Sequence, residues 1–283
     1  MDYRDRVVVV TGASSGIGRV TALRFAERGA VVAAVAHREG HLQELIEACL
    51  PHSPRSHYIA GDLGQRSFAE GVIDTVAERH GRLDVLVNNA AISKHKQIYH
   101  VSADEAERVM EVNFRSCLWT TFAAIPYMLR DGAGSIVNVS SFAAAVVPPR
   151  ETIYAASKAA MSAFTEGLWN DLEGSGIHAA LIIPGAIDTE IWEKEDEPVA
   201  FDGAKAPPEV VTDAIFEAIE KRRREITVPR RKPDLMAARL LRFAAPWLLR
   251  AGMKRMDPVP AEVVERARAR ARRGKRLGDL DDT

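Results

Sequence analysis

Tyr154 and Lys158 are the residues whose types and spacing point most directly to chemistry. They are four positions apart, so on a helix they lie on the same face. A tyrosine hydroxyl can donate a proton, and a neighbouring ammonium favours the phenolate and lowers a pKa that starts at about 10. Most pairs at this spacing lie on solvated helices, so the pair indicates catalysis only if the preceding chain supplies the rest of a site.

A glycine-rich turn lies near the start of the chain. The run Val7–Val10 is typical of a strand that is buried on both faces. Gly12, Gly16 and Gly18 follow it, and a helical pattern then covers Arg19–Arg28. Glycines in such a turn let the backbone approach a pyrophosphate, and free N–H groups at a helix start favour the anion. The alternative interpretation is a tight turn that binds no ligand.

The end of the second predicted strand, Val31–Ala36, bears on the choice of cofactor. In dinucleotide-binding folds an acidic residue there holds the ribose 2′-OH, whereas a basic residue accommodates a 2′-phosphate. Ala36 occupies the position where an acid is expected, and His37 and Arg38 follow. This pattern favours NADP over NAD. The alternative is that Arg38 is a solvated loop residue.

Strands and helices alternate along the chain, which predicts βαβ crossovers. We therefore predict an α/β fold: a Rossmann-like, doubly wound parallel sheet of about seven strands with helices on both faces. The predicted strands are Arg6–Thr11, Val31–Ala36, Tyr58–Ala60, Leu83–Val87, Ser135–Val139, Ile177–Ile183 and Glu225–Val228. The predicted helices are Arg19–Arg28, His41–Leu50, Gln65–His80, Ala103–Met110, Phe114–Arg130, Thr152–Glu173 and Pro208–Arg223. Polar residues at the strand ends should converge on one crevice.

Composition and charge indicate how the chain is divided. It has 283 residues, of which 47% are hydrophobic and 27% are charged, as in one large globular domain. The net charge is only −1, yet residues 221–283 contain 19 Lys and Arg against 8 Asp and Glu. We predict a main domain at residues 1–229, with a substrate loop at 186–208. Residues 230–283 are predicted to form a basic, helical C-terminal extension.

The cysteines and the N-terminal sequence bear on the compartment. Cys49 and Cys117 lie in apolar helical stretches, where buried free thiols are expected rather than a disulfide framework. The first residues lack the apolar core of a signal peptide. No apolar run reaches transmembrane length. We therefore expect the protein in the reducing cytoplasm.

From about Arg4 to Pro229 these features together resemble the classical short-chain dehydrogenase/reductase family. The motifs that carry the resemblance are Thr11-Gly12-x-x-x-Gly16-x-Gly18, Asp62-Leu63, Asn88-Asn89-Ala90, Asn113, Ser141, Tyr154-x-x-x-Lys158 and Pro184-Gly185-x-x-x-Thr189. Each motif is weak or moderate evidence by itself, but their occurrence together and in order is highly specific. Position 91 departs from the family pattern, since Ala91 replaces the usual glycine and adds a methyl group near the cofactor.

The resemblance implies a catalytic set of four residues. Tyr154 would be the general acid in reduction and the base in oxidation. Lys158 would lower the pKa of Tyr154 and hold the nicotinamide ribose. Ser141 would hydrogen-bond the substrate oxygen, and Asn113 would kink its helix and hold a water molecule that connects Lys158 to solvent. No metal is expected.

The resemblance also implies the residues that contact the cofactor, from the pyrophosphate and adenine to the nicotinamide. Together with Tyr154 and Lys158, they are Gly12, Ser14, Ser15, Gly16, Ile17, Gly18, His37, Arg38, Asp62, Leu63, Asn89, Ala90, Pro184, Gly185, Ile187 and Thr189.

Residues 186–208 should close over the substrate. The apolar candidates in this loop are Trp192 and Phe201, and a second wall is expected at 142–147. These residues suggest a hydrophobic carbonyl or alcohol, such as a steroid-like, polyketide-like or aromatic compound. The loop also carries Glu190, Glu193, Glu195, Asp196 and Glu197. We interpret these acids as a solvated flap rather than as a site for a cationic substrate.

The C-terminal extension has an amphipathic pattern over 235–256 that Pro246 interrupts. One helical face carries Arg239, Arg242, Arg250 and Lys254, whereas the opposite face carries Leu240, Leu241, Trp247 and Leu248. The favoured interpretation is a helix pair that covers the substrate pocket or packs on a second subunit. The alternative is a basic helix that lies on a membrane surface. Arginines at 262–276 have no interleaved aromatic residues, so nucleic-acid binding is not expected.

The leading hypothesis is an NADPH-dependent reductase of a ketone or aldehyde, or the reverse alcohol dehydrogenase. A second hypothesis keeps the fold but makes the protein an epimerase, isomerase or dehydratase with a recycled or structural cofactor. A third makes it a membrane-peripheral scaffold that senses nucleotides. The resemblance also implies a homodimer or homotetramer built on the helices predicted at Phe114–Arg130 and Thr152–Glu173.

Overall fold

The structure of the protein is a computed structural model that describes residues 2–194, 203–230, 233–256 and 258–273. Within these ranges, seven strands form one parallel sheet in the order β3-β2-β1-β4-β5-β6-β7. The strands are β1 (Val7–Thr11), β2 (Val31–Ala36), β3 (His57–Ala60), β4 (Val85–Asn88), β5 (Gly134–Val139), β6 (Ile177–Pro184) and β7 (Glu225–Val228). The predicted Rossmann-like, doubly wound sheet is confirmed.

Helices cover both faces of the sheet. They are α1 (Gly16–Glu27), α2 (Glu39–Cys49), α3 (Arg66–His80), α4 (Ala103–Met110), α5 (Ser116–Arg130), α6 (Ala143–Val146), α7 (Thr152–Asp171), α8 (Glu209–Glu220), α9 (Pro233–Ala244), α10 (Pro246–Met256) and α11 (Ala261–Ala271). Helices α1, α2 and α8 bury one face of the sheet, and α3 and α5 bury the other. In the described ranges, no helix has both the length and the apolar character needed to span a membrane.

Strand β1 occupies the centre of the core. Val8 and Val10 belong to the apolar cluster on one face, and Val7 and Val9 to the cluster on the other. Side chains alternate between the faces of a strand, so only a strand covered on both sides is stabilised by four consecutive valines.

The order of the strands reverses at β1. The chain proceeds from β1 to β2 and β3 on one side, and β4 pairs with β1 on the other. Loops that leave the carboxyl ends of β1 and β4 therefore run in opposite directions and leave a crevice between them. In open parallel sheets this is the position where ligands bind.

Several helix boundaries differ from the sequence prediction, and those at α1 and between α4 and α5 have a physical reason. Helix α1 begins at Gly16 rather than at Arg19, because the glycine-rich turn itself enters the helix. Between α4 and α5 the helix is not broken, since a π-helical turn covers Glu111–Arg115 and the Ser116 N–H bonds to the Glu111 carbonyl. Helix α7 ends at Asp171, two residues earlier than predicted.

The apolar side chains at the junction of α9 and α10 are exposed: Leu240, Phe243 and Trp247 are 68%, 83% and 71% exposed. They therefore do not cover this protein's own pocket, whereas packing on a second subunit stays a prediction. Helix α9 contacts α6 of the main domain through a polar side chain. The Arg242 guanidinium donates to the Ala144 carbonyl at 2.8 Å and also to the Ala145 carbonyl in α6.

Candidate active site

The glycine-rich turn packs against the segment that follows β4. Gly12 has a φ of +67°, and a Cβ added to it would lie 2.7 Å from the Ala90 Cα. A Cβ on Gly18 would lie 2.3 Å from the Gly12 carbonyl oxygen. These two glycines are therefore required by the packing of the turn itself, a stronger reason than the predicted approach to a pyrophosphate.

The Thr11 hydroxyl joins the carboxyl ends of β1 and β4. It accepts hydrogen bonds from the backbone N–H groups of Asn89 at 3.0 Å and Ala90 at 3.1 Å, and it donates to the Val87 carbonyl at 3.3 Å. The Asn89 side-chain amide donates back to the carbonyls of Thr11 at 3.1 Å and Gly12 at 3.3 Å. Both sides of the crevice are thereby held as one unit.

The first turn of α1 fits an anion. Among the described residues, its N-terminus has no acidic residue in the first turn, and the N-cap residue Ser15 makes no side-chain capping bond. The backbone N–H groups and the helix dipole at this end favour negative charge. This part of the crevice therefore suits a pyrophosphate.

Arg38 lies next to the same turn. Its Nε and Nη2 atoms both donate to the Ser14 hydroxyl at 3.3 Å, which brings the two residues together at the end of β2. A guanidinium beside a hydroxyl fits a 2′-phosphate. His37 is exposed beside them. Arg38 is thus not the solvated loop residue of the alternative interpretation.

Asp62 follows β3 and is held in place by two donors. Its carboxylate accepts from the Gly64 N–H at 2.9 Å and from the Arg108 guanidinium at 2.7 Å. The hydrogen bond from Arg108 is the main cause that lowers the pKa of Asp62. Leu63 beside it is buried. Arg108 comes from α4, and no signal in the sequence connected it with Asp62.

Lys158 is buried at the end of β5. Its ammonium Nζ donates to the Val139 carbonyl at 2.8 Å, and its side chain belongs to α7, which also carries Tyr154. Burial lowers the pKa of Lys158 to about 8. The residue is 2% exposed, so the fold holds a cation where desolvation disfavours it. Such a position is typical of a functional residue.

Ser141 lies two residues after the end of β5, next to the end of β6. Its hydroxyl accepts the N–H of Ala143 at 3.1 Å, which starts α6. The neighbouring Phe142 N–H donates to the Pro184 carbonyl at 2.7 Å, and the Gly185 N–H donates to Val228 at 2.7 Å. The ends of β5, β6 and β7 are thereby tied together around Ser141.

Asn113 links the chain after β4 to α7, the helix that carries Tyr154 and Lys158. It is fully buried, and its side-chain oxygen accepts from the Ile92 N–H at 2.8 Å. Its amide nitrogen donates to the Ile92 carbonyl at 3.0 Å and to the Ser157 hydroxyl at 3.1 Å. The π-helical turn lies where the sequence predicted a kink. Sequence reasoning missed Ser157, whose only signal was its place beside Lys158.

A pair of ionisable side chains that the sequence did not indicate lies at the start of α7. His95 and Glu151 approach each other, with 3.9 Å between Nδ1 and Oε1. Burial raises the pKa of Glu151 to about 7. The Lys96 N–H donates to the Arg150 carbonyl at 3.0 Å, so the segments that carry the two residues are paired. Within the described ranges, no group of three His, Cys, Asp or Glu residues could hold a metal ion.

The segment after β6 is fixed at both ends. Ile187 pairs with Ala206 in a parallel bridge, and the Trp192 indole N–H donates to the Ile187 carbonyl at 2.6 Å. Lys205 lies over the Trp192 ring, 4.3 Å from its centre. Thr189 packs against Gly16, with 3.0 Å between its Cγ2 and the Cβ that an alanine would add.

The acidic residues of this segment were predicted to form a solvated flap. The Glu190 side chain is 38% exposed, as in a solvated flap, but its carboxylate also pairs with the Arg38 guanidinium at 2.9 Å, which the sequence did not indicate. The side chain of Glu193, together with Glu195, Asp196, Glu197 and Phe201, lies outside the described residues.

A family model described as short chain dehydrogenase matches residues 6–200. The chain belongs to the short-chain dehydrogenase/reductase family. The chain is 34% identical over 199 residues to the 3-oxoacyl-[acyl-carrier-protein] reductase of Thermotoga maritima, covering 70% of this chain and 80% of that protein. The family resemblance seen in the sequence is thereby confirmed, and the protein is an oxidoreductase of this family.

Two solved structures of the family resemble this protein over most of its length. A short-chain dehydrogenase/reductase from Burkholderia phymatum in complex with NAD has a TM-score of 0.79 and 26% identity, covering 88% of this chain and 96% of that one. A short-chain dehydrogenase from Sphingobium yanoikuyae in complex with NADPH has a TM-score of 0.74 and 26% identity, covering 90% and 97%. One neighbour binds NAD and the other NADPH, so the preference of this protein depends on its own residues.

Proposed function

We propose that the protein is an NADPH-dependent reductase that converts a ketone or aldehyde on a hydrophobic small molecule into an alcohol, or catalyses the reverse oxidation. The observation that carries this proposal is that Lys158 is buried on the same helix as Tyr154. This helix is hydrogen-bonded to Asn113 through the hydroxyl of Ser157. These residues and Ser141 lie at the carboxyl edge of the sheet that also holds the glycine-rich turn.

The proposed chemistry uses two hydroxyl groups of this chain. The nicotinamide cofactor supplies a hydride to the carbonyl carbon when it is bound. Tyr154 donates its phenolic proton to the carbonyl oxygen as negative charge develops there, and the Ser141 hydroxyl hydrogen-bonds the same oxygen. Lys158 favours the phenolate that this transfer leaves on Tyr154, and solvent returns the proton.

The pair of Arg38 and Ser14 supports a preference for NADP over NAD. Both side chains can donate hydrogen bonds to a 2′-phosphate, and the guanidinium supplies a charge that a ribose hydroxyl does not need. No acidic side chain follows β2 directly, since Ala36 ends the strand and His37 and Arg38 come next.

We expect the purified protein to consume NADPH in the presence of hydrophobic ketones, and to consume NADH less efficiently. Arg38→Ser should raise the KM for NADPH about tenfold or more and leave that for NADH nearly unchanged, because it removes a charge-assisted contact worth roughly 1.5–3 kcal/mol. Both KM values can be measured from the absorbance of the reduced cofactor, with each ketone of a panel as the substrate. An equal effect of the substitution on both cofactors would contradict the NADP assignment, and a product of unchanged redox state would favour an epimerase, isomerase or dehydratase.

The walls beside Ser141 support a hydrophobic substrate. Helix α6 is made of three alanines and Val146, and the next residue, Val147, is 45% exposed. On the segment after β6, Trp192 is the aromatic residue that we assign to the other wall of the pocket.

We also propose that the protein is a homo-oligomer built on α5 and α7. Phe122 and Leu129 on α5 are 55% and 49% exposed. Phe164 on α7 makes edge-to-face contacts with Phe114 and Phe122, with ring centres 6.2 and 6.1 Å apart. A second copy would cover this aromatic face. The cytoplasm, expected from the two cysteines, stays a prediction.

The corner between α9 and α10 suits an anionic membrane surface, and we propose that it binds one. Trp247 is exposed, and at about 100° per residue Lys254 and Arg255 lie within about 80° of it on the same face of α10. The sequence interpretation that placed Lys254 on the face opposite Trp247 is therefore wrong. Aromatic and basic side chains on one helical face are typical of interfacial helices. Leu240 and Phe243 extend the apolar part of this corner.

The full-length protein should sediment with vesicles that contain phosphatidylserine and much less with neutral phosphatidylcholine vesicles. Replacing both Lys254 and Arg255 by glutamate should abolish the difference, since about 1 kcal/mol of attraction is lost for each basic residue. Equal sedimentation with the two kinds of vesicle would contradict membrane binding and leave a second copy of the chain as the partner of this corner.

A further inference from the structure

Arg38 is shared between two parts of the site. Its Nε and Nη2 atoms donate to the Ser14 hydroxyl in the glycine-rich turn, and its Nη1 atom donates to the Glu190 carboxylate at 2.9 Å. The arginine side chain is 23% exposed and that of the glutamate 38% exposed, so water screens this ion pair only in part. Glu190, which is 152 positions further along the chain, thus occupies one edge of the Arg38 guanidinium.

A carboxylate and a phosphate bind a guanidinium through the same N–H donors and with the same sign of charge. We propose that Glu190 competes with the 2′-phosphate of NADP for Arg38, and so sets the affinity of the site for 2′-phosphorylated nucleotides. The inference rests on the proposed function, because it requires that Arg38 binds the 2′-phosphate. In this proposal Glu190 opposes the preference for NADP over NAD that Arg38 and Ser14 create.

The local packing holds Glu190 close to Arg38. The preceding Thr189 lies against Gly16, and the following turn is fixed by the hydrogen bond from Trp192 to Ile187. The backbone of Glu190 therefore stays beside Arg38 when the ion pair is broken. The displaced carboxylate would remain close enough to a bound 2′-phosphate to repel it.

The expected effect has two sources. The ion pair must be broken, which for partly exposed pairs corresponds to a factor of about 1.4–5 in affinity. Repulsion between the displaced carboxylate and the phosphate adds a further factor of about two or more at short range. Removing the charge at position 190 should therefore tighten the binding of a 2′-phosphorylated nucleotide about three- to tenfold.

The test compares two small nucleotides that differ only in the phosphate at the 2′ position, 2′,5′-ADP and 5′-AMP. Isothermal titration of the full chain should show that Glu190→Gln binds 2′,5′-ADP about three- to tenfold more tightly than the wild type. The affinity for 5′-AMP should not change, and this also shows that the variant is folded.

Glu220→Gln is the matched control. Glu220 pairs with Arg28 at the same 2.9 Å distance and with similar exposure, but it lies on α8 away from the crevice. Its substitution should change neither affinity.

Each outcome decides between distinct interpretations. If Glu190→Gln and the wild type bind 2′,5′-ADP equally while the wild type prefers it over 5′-AMP, the competition is absent but the NADP assignment stands. If the wild type binds the two nucleotides equally, and Arg38→Ser changes neither affinity, the 2′-phosphate site itself is wrong and the role of Glu190 falls with it. A gain that Glu190→Gln shows equally for 5′-AMP would indicate a general effect of charge and would also overturn the proposal.

Discussion

Tyr154→Phe is expected to lower kcat/KM for ketone reduction by about 10²–10⁴-fold, the usual contribution of a positioned general acid. The substitution removes only the hydroxyl that would donate the proton and keeps the ring in place. The affinity for the nucleotide should therefore change little. Steady-state kinetics with NADPH, together with titration of 2′,5′-ADP, separates the two effects.

Tyr127→Phe provides the control for this experiment. The Tyr127 hydroxyl donates to Asp74 at 2.9 Å on the outside of α5 and α3, so its removal deletes the same group away from the crevice. This variant should keep full activity. Full turnover by Tyr154→Phe would refute the assigned role of Tyr154, whichever ketone is used.

Lys158→Met should lower activity by about 10²-fold or more, as is typical when a charged group that stabilises the transition state is removed. The same change should cost little stability at pH 7. In the folded protein burial lowers the pKa of Lys158 from 10.5 to about 8, so the fold carries a penalty for the protonated amine. Methionine fills a similar volume without that penalty, although the Val139 carbonyl loses its partner.

The sign of the pH dependence follows from this lowered pKa. Between about pH 8 and pH 10.5 the unfolded chain binds more protons at Lys158 than the folded protein does, so wild-type stability gains from this group as the pH rises. Below about pH 8 the full penalty is present. The melting temperature of Lys158→Met, relative to wild type, should therefore be higher at pH 7 than at pH 9.5. A difference that does not change with pH would show that Lys158 titrates normally in the fold.

The sequence patterns predicted the sheet well because each strand carries its own signal. The valines of β1 indicate burial on both faces, and β2 and β7 have the predicted bounds. The family motifs likewise predicted that polar residues near the carboxyl ends of the strands converge on one crevice. The crevice forms at these strand ends because the strand order reverses at β1.

Contacts between distant segments could not be predicted in this way. Nothing near Glu190 indicates that it pairs with Arg38, since the pairing depends on how the segment after β6 folds back over the turn after β1. The same is true of Arg108 and Asp62. Periodicity placed Leu240 and Trp247 on one helical face but could not tell whether that face is buried.

The π-helical turn at Glu111–Arg115 is in effect a one-residue insertion in a continuous helix. Each residue of an α-helix advances the direction of the side chains by about 100°, so the insertion rotates α4 about its axis relative to α5. Deleting one residue of the turn would restore a regular helix, but it would turn either Asn113 away from Ile92 or α5 away from the core it shares with α3. The length of this stretch is therefore under constraint as well as its residues. A relative with a one-residue gap in this stretch should lack the hydrogen-bonded link between Asn113 and α7.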